Sequence, residues 1–195
     1  DELVPGLARL EFHRRLGSVA DKSARVGELA AAMAASIGSP LPAGELARAA
    51  RLVKADLLTG MVVEFTELQG VVGGHYLRLA GEPEALWTAA RDHYSPQGFE
   101  GAIPASDIGR LIGAADRLDT LAGLFGVGEL PSGSRDPHGL RIQARFPQTE
   151  RSDEDPSPAM DTYGEALLQA PLLTFGLTTR YRVLWNYFEN TFPRT

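Results

Sequence analysis

An apolar stripe at helical spacing runs through residues 107–125, where Ile108, Leu111, Ile112, Ala115, Leu118, Ala122 and Phe125 recur with the period of an α-helix. Such a stripe predicts a long helix with one face buried in a core. Asp119 falls on the stripe itself, beside Ile108, Ile112, Ala115 and Ala122, and Asp116 precedes it by about one turn. A carboxylate taken out of water needs cations or N–H donors around it. Whatever fold the chain adopts must therefore bring partners to two carboxylates inside a helical core.

Other segments share the helical period. Ser18 followed by Asp21 is spaced as a capping box, and Val19, Val26, Leu29, Met33 and Ile37 follow it until Gly38 and Pro40 stop the run. A second helix sets Leu46, Ala49, Ala50, Val53 and Leu57 on one face, and Asp56 points towards that apolar side. The stretch KADLLTGMVVEFTELQGVVGGHY, residues 54–76, then places Glu64, Glu67, Gln69 and His75 among residues expected to be buried, in short helical pieces set off by Gly60 and Gly70. Gly73 and Gly74 allow a further bend or close approach. Residues 82–94 read as a helix entered through Pro83.

Past Phe125 the texture changes. GVGELPSGSRDPHG is rich in turn formers, PQTERSDEDPSP is an acidic, proline-containing linker, and TRYRVLWNYFEN fits a helix better than a strand. The expected fold is all-α: a helical bundle over residues 1–141 and an irregular extension over residues 142–195.

Composition narrows the function classes. The 195 residues include no cysteine, which excludes disulfides, thiolate metal sites and cysteine nucleophiles, and fits a reducing cytoplasm. The longest apolar run, LAAAMAA at residues 29–35, is too short to span a bilayer. A net charge of -6 means that any nucleic acid would be bound through a local basic patch. The first residue is Asp, with no targeting segment after it, and the sequence reads as a fragment of a longer chain.

Two kinds of chemistry are open on the residues alone. Helical phosphohydrolases of the His-Asp type hold ions with a His, a His-Asp doublet and a later Asp, and use them to activate water. Here Lys54, Ala55 and Asp56 stand at the doublet, with Asp116 available as the later acid. His13, His75 and His93 are too scattered to define a metal site by spacing. Glu64 and Glu67, three apart, could form an acid/base pair, although a solvated pair is the commoner outcome. No nucleophile elbow, phosphate loop or dinucleotide fingerprint is present. The second possibility is phosphate contact: Arg14 and Arg15, with Lys22 and Arg25 one or two turns on, could line one edge, and Arg135 and Arg141 flank a DP turn.

FHRRLGSVADKSARV, LVKADLLTGMVVEFTELQGVVGGHY, DHYSP, ADRLDTLAGLFGVG and PSGSRDPHGLR occur in this order. Together they resemble the beta subunit of the bacterial heterotetrameric glycyl-tRNA synthetase, from about Phe12 to Arg141. The resemblance implies a His-Asp-domain-like helical region within a much longer beta subunit. It implies an alpha subunit that activates glycine with ATP and magnesium, and a beta subunit that recognises glycine tRNA. On that basis this domain holds no cofactor, metal or catalytic residue, is cytoplasmic and does not enter a membrane. Lys54, Asp56, Asp116 and Asp119 become the positions of a degenerate His-Asp site, and Arg14, Arg15, Lys22, Arg25, Arg135 and Arg141 the tRNA contacts. The remaining alternative is a stand-alone metal-dependent phosphohydrolase acting on a nucleotide. The resemblance ends in DPHGLRIQARFPQ, where the family's DP-x-x-LRR pattern breaks off, and residues 142–195 match nothing in that subunit.

Overall fold

In a computed structural model describing residues 1–95 and 103–129, the Ser18 hydroxyl accepts the Asp21 N–H at 3.2 Å while Asp21 Oδ2 accepts the Ser18 N–H at 2.7 Å. This reciprocal cap starts α1, Val19–Ser36. Its inner face is Val19, Lys22, Ser23, Val26, Leu29, Ala30 and Ala34. Met33 is only half-buried and Ile37 is exposed, so the expected stripe fails at its end. The helix stops at Ser36, and Ile37 leaves the helical register before Gly38 turns the chain at φ 68°.

Before α1 lie a 3-10 helix, Val4–Arg9, and a short antiparallel hairpin of β1, Glu11–His13, and β2, Gly17–Ser18. The expectation of a helical bundle over residues 1–141 did not include this hairpin, because strands of three and two residues are too short to show a two-residue period. The hairpin tip exposes Arg14 and Arg15 and buries Leu16.

Helix α2, Ala43–Leu52, packs on α1. It does not continue through Leu57 as expected: the chain breaks at Val53 and re-forms as a 3-10 turn over Ala55–Leu58. Lys54 and Asp56 follow this break, and both are buried.

Next come α3, Gly60–Glu64, a 3-10 turn over Thr66–Leu68, α4, Val71–Leu79, and α5, Glu84–Asp92. Helix α4 lies along α5, which also touches α2. Helix α6, Asp107–Gly126, buries Ile108, Leu111, Ile112 and Ala115 of the expected stripe. Leu118, Ala122 and Phe125 are only half-buried, whereas Leu121, outside the expected stripe, is buried. The architecture is all-α apart from the hairpin. The chain divides into two compact units, Asp1–Gly123 and Leu124–Thr195, and the elements above belong to the first except for the end of α6. The expected boundary at residue 141, the expected C-terminal helix, Arg135 and Arg141 lie outside the described residues. Among the described residues, no helix is long and apolar enough to cross a membrane.

Candidate functional site

The partners that the α6 carboxylates require come from two other segments, α1 and the turn after α2. Lys22 of α1 donates from Nζ to Thr120 Oγ1 at 2.7 Å, to the Asp116 carbonyl at 3.0 Å and to Asp119 Oδ2 at 3.2 Å. The same ammonium stands 3.1 Å from Asp116 Oδ1 and over the Phe12 ring, 4.7 Å from its centroid. One turn on, Arg25 closes a two-bond fork on Asp119, with Nε to Oδ1 at 2.7 Å and Nη2 to Oδ2 at 3.1 Å. Its Nη1 reaches the Leu16 carbonyl at 3.0 Å and so ties the hairpin to α1. Lys54, at the break after α2, donates to Asp116 Oδ2 at 2.8 Å and lies 4.1 Å from the Tyr94 ring centroid. Asp119 is 0% exposed and Lys54 7%.

Asp56 serves a separate purpose. Its Oδ2 accepts the Gly70 N–H at 2.6 Å and the Gly73 N–H at 3.1 Å, so a distant carboxylate caps the start of α4. Gly70 adopts φ 81°, a region closed to most side chains, and a Cβ on Gly73 would come within 2.9 Å of Asp56 Oδ2. Gly70 and Gly73 are thus the backbone half of the Asp56 contact.

Arg117 serves the C-terminal end of α5, donating to the carbonyls of His93 at 3.1 Å and Tyr94 at 2.7 Å, and it also reaches the Gly113 carbonyl one turn back in its own helix at 3.1 Å. His93 is fully buried, with Nδ1 2.8 Å from the Ala90 carbonyl. That contact assigns the ring proton to Nδ1.

Charge states follow from these surroundings. Burial would raise the Asp116 carboxyl, but the Lys22 and Lys54 ammonium groups overcome it and hold the group well below the usual carboxylate range. Burial would depress Lys54, but Asp116 and Tyr94 overcome it and hold the ammonium above its ordinary value. The two shifts agree on an ionised pair. Burial pushes Asp56 up against the opposing effect of the Gly70 and Gly73 N–H groups. Burial, reinforced by the Lys54 charge, pushes His93 down to about 3, so its imidazole is neutral near pH 7.

A divalent cation does not fit this donor set. Asp116 already faces two ammonium groups, Asp119 is held by Lys22 and Arg25, and one Asp56 oxygen is committed to two N–H groups. A metal beside them would meet like charge. Among the described residues, no group of three or more His, Asp or Glu side chains is placed to hold one.

The sequence-predicted residues separate into three sets. Lys54, Asp56, Asp116 and Asp119 come together at buried positions. Lys22 and Arg25, expected on a phosphate-binding edge, are turned inward to Asp119 instead, because the α6 carboxylates need them there. Arg14 and Arg15 are exposed. Glu64 and Glu67, expected near buried residues, are exposed and do not share a helix, since α3 ends between them. His75 is exposed, and His13 accepts the Arg15 N–H on Nδ1 at 3.2 Å. Sequence reasoning missed Thr120, Tyr94, Arg117 and the buried state of His93. The signal available was a run of polar residues, ADRLDT, inside an apolar stripe.

Residues 1–146 match the family model described as "Glycyl-tRNA synthetase beta subunit". The chain is 49% identical over 144 residues to the glycine–tRNA ligase beta subunit of Streptococcus thermophilus, covering 72% of this chain and 21% of that protein. It is 48% identical over 138 residues to the subunit of the same name from Acidithiobacillus ferrooxidans, covering 71% of this chain and 20% of the relative. With the Anaeromyxobacter dehalogenans subunit it shares 46% over 143 residues, 73% of this chain and 20% of the relative. The chain spans about a fifth of the length of the curated relatives it matches.

Proposed function

The chain belongs to the glycyl-tRNA synthetase beta subunit family, and from that premise we propose that it is a non-catalytic tRNA-binding and assembly domain of a glycine–tRNA ligase. The intact cytoplasmic enzyme joins glycine to its tRNA, with ATP and magnesium used on the alpha subunit. This domain contributes scaffold and RNA contact. The His-Asp-like character of the bundle belongs to the same reading, with Lys54, Asp56, Asp116 and Asp119 as the remains of a metal site. The observation that carries it is the pair of lysines on Asp116: the carboxylate that a phosphohydrolase would offer to a metal holds two ammonium groups at 3.1 and 2.8 Å. That arrangement disfavours the alternative of a metal-dependent nucleotide phosphohydrolase.

With Lys22 and Arg25 committed to the core, the proposed RNA contact among the described residues reduces to Arg14 and Arg15 at the hairpin tip. Phosphate contact releases counterions, so affinity for glycine tRNA falls with salt, by about one unit of logarithmic slope for each contact. Two contacts correspond to roughly a tenfold loss between about 50 and 200 mM salt. An Arg14→Ala, Arg15→Ala double variant is expected to bind more weakly at low salt, with a slope shallower by about two. Titrating labelled glycine tRNA at several salt concentrations reads both quantities. Identical curves for variant and wild type, or no binding by wild type at low salt, remove the RNA-contact role from this surface.

A further inference from the structure

Arg14 and Arg15 occupy the two central positions of a tight turn, closed where the Leu16 N–H donates to the His13 carbonyl at 2.9 Å. The strands on either side are three and two residues long. A two-stranded hairpin of that size does not hold its shape in water by itself. The direction in which it presents two guanidinium groups must be fixed from outside. Two cations of α1 do this. Lys22 and Arg25 are three apart and so share a helix face, and each contacts both α6 and the hairpin. Arg25 forks Asp119 through Nε and Nη2 and gives Nη1 to the Leu16 carbonyl at 3.0 Å. Leu16, the last residue of the turn, is thereby held three ways: by its buried side chain, by its N–H and by its carbonyl. Lys22 binds Thr120 and the α6 carboxylates, and its ammonium lies 4.7 Å from the centroid of the Phe12 ring on β1.

Stability alone does not call for charge here, since well-packed apolar residues often replace a buried ionic cluster without loss. What apolar packing does not supply is direction. A hydrogen bond weakens steeply off its axis, so a donor on the Leu16 carbonyl fixes the angle of the turn. The donor is itself fixed by the fork on Asp119. We infer that Arg25 and Asp119, with Lys22 on Phe12, are positioning residues for RNA contact: the α6 carboxylates orient the α1 cations, and these hold the turn that presents Arg14 and Arg15 to a phosphate backbone. The inference rests on the proposed RNA contact at the hairpin tip and adds the residues that aim it. Arg25 is not itself a phosphate ligand. Its side chain is 13% exposed, and Nε, Nη1 and Nη2 are all engaged within the domain. Its effect on binding passes through Leu16.

The test titrates labelled glycine tRNA with the 195-residue chain at several salt concentrations. Wild type is compared with Arg25→Lys, with the Arg14→Ala, Arg15→Ala double variant, and with all three changes combined. Lysine keeps a positive charge beside Asp119, but its single nitrogen cannot both fork the carboxylate and hold the Leu16 carbonyl. Circular-dichroism melts set a temperature at which every variant is folded, so binding is read apart from stability. Arg25→Lys is expected to weaken binding at low salt about threefold or more and to bring the salt slope towards that of the double variant. Added to the double variant, it should change affinity by less than about twofold, because the side chains it aims are already gone. A lowered thermal midpoint with wild-type affinity and slope makes Arg25 a residue of stability alone and overturns the inference. Equal losses with and without Arg14 and Arg15 overturn it too, while the proposed RNA contact stands. A double variant that binds as wild type does removes the RNA contact, and the inference with it. Should Arg25→Lys not fold, Phe12→Leu takes its place, removing the ring beside Lys22 while leaving the bonds to α6, and the same outcomes decide.

Discussion

Replacing Asp119 by alanine is expected to lower the stability of the domain by about 3–5 kcal/mol, the usual cost of leaving buried opposite charge uncompensated. The position has no access to solvent, and among the described residues its two oxygens take bonds from Lys22 and from both Nε and Nη2 of Arg25. Alanine removes the acceptors and leaves Lys22 with Asp116 and Thr120 alone, while Arg25 loses its fork. The hairpin should loosen as well, because Arg25 also holds the Leu16 carbonyl. For a chain of this size the loss corresponds to a fall of roughly 10 °C in thermal midpoint. Urea unfolding of Asp119→Ala and Asp119→Asn measures it. Asparagine keeps one acceptor and should recover part of the loss. An alanine variant within about 0.5 kcal/mol of wild type would show that the network contributes no net stability.

Stability is expected to fall as pH drops below about 6.5, earlier than carboxylate titration alone would produce. His93 is the cause. Its native pKa is pushed down to about 3, so the unfolded chain takes up a proton that the folded chain refuses. Where the unfolded state binds more protons, stability rises with pH, so the contribution is complete above about 6.5 and lost on acidification towards about 3. The full difference is on the order of 4–5 kcal/mol, of which about 2 kcal/mol is lost by pH 5. Asp116, held low by Lys22 and Lys54, adds its own loss only as pH falls below the ordinary carboxylate value. Lys54 works in the opposite direction: its raised value keeps its contribution intact until pH climbs through the ordinary lysine range and beyond. Asp56, pushed up by burial, works against this loss on acidification. The histidine is therefore read from the difference between wild type and a His93 variant in urea midpoints between pH 7 and 4.5. His93→Gln can still donate towards the Ala90 carbonyl but has no proton to gain, so it should lose much less stability over this window. A variant profile parallel to that of wild type would contradict the assignment.

The helical framework was legible because apolar spacing and capping residues act locally. The Ser18–Asp21 cap and the first half of the α6 stripe, Ile108 to Ala115, appear where sequence placed them, and the need for cations at Asp116 and Asp119 followed from their position on or beside that stripe. Which cations came was not legible. Lys22 and Arg25 lie about ninety residues before their partners, and helical spacing reads the same for a solvated edge as for a buried contact. The break after α2 was hidden for a related reason. Leu57 fits the α2 period, and nothing in the apolar spacing marks Val53 as the end of the helix. The family resemblance, by contrast, lay in the residues that form these contacts: KAD, the ELQG-GG glycines, HY and ADRLDT are the two halves of the Lys54–Asp116, Asp56–Gly70 and Arg117–His93 pairs.

Thermal melts of the purified chain with increasing manganese, paired with a hydrolysis assay on a nucleotide panel in the same buffer, test most directly whether this cluster is a scaffold rather than a metal centre. The ammonium groups of Lys22 and Lys54 on Asp116 predict no saturable rise in midpoint and no metal-dependent turnover. A stoichiometric rise in midpoint accompanied by turnover, both abolished by Asp56→Ala, would contradict the account.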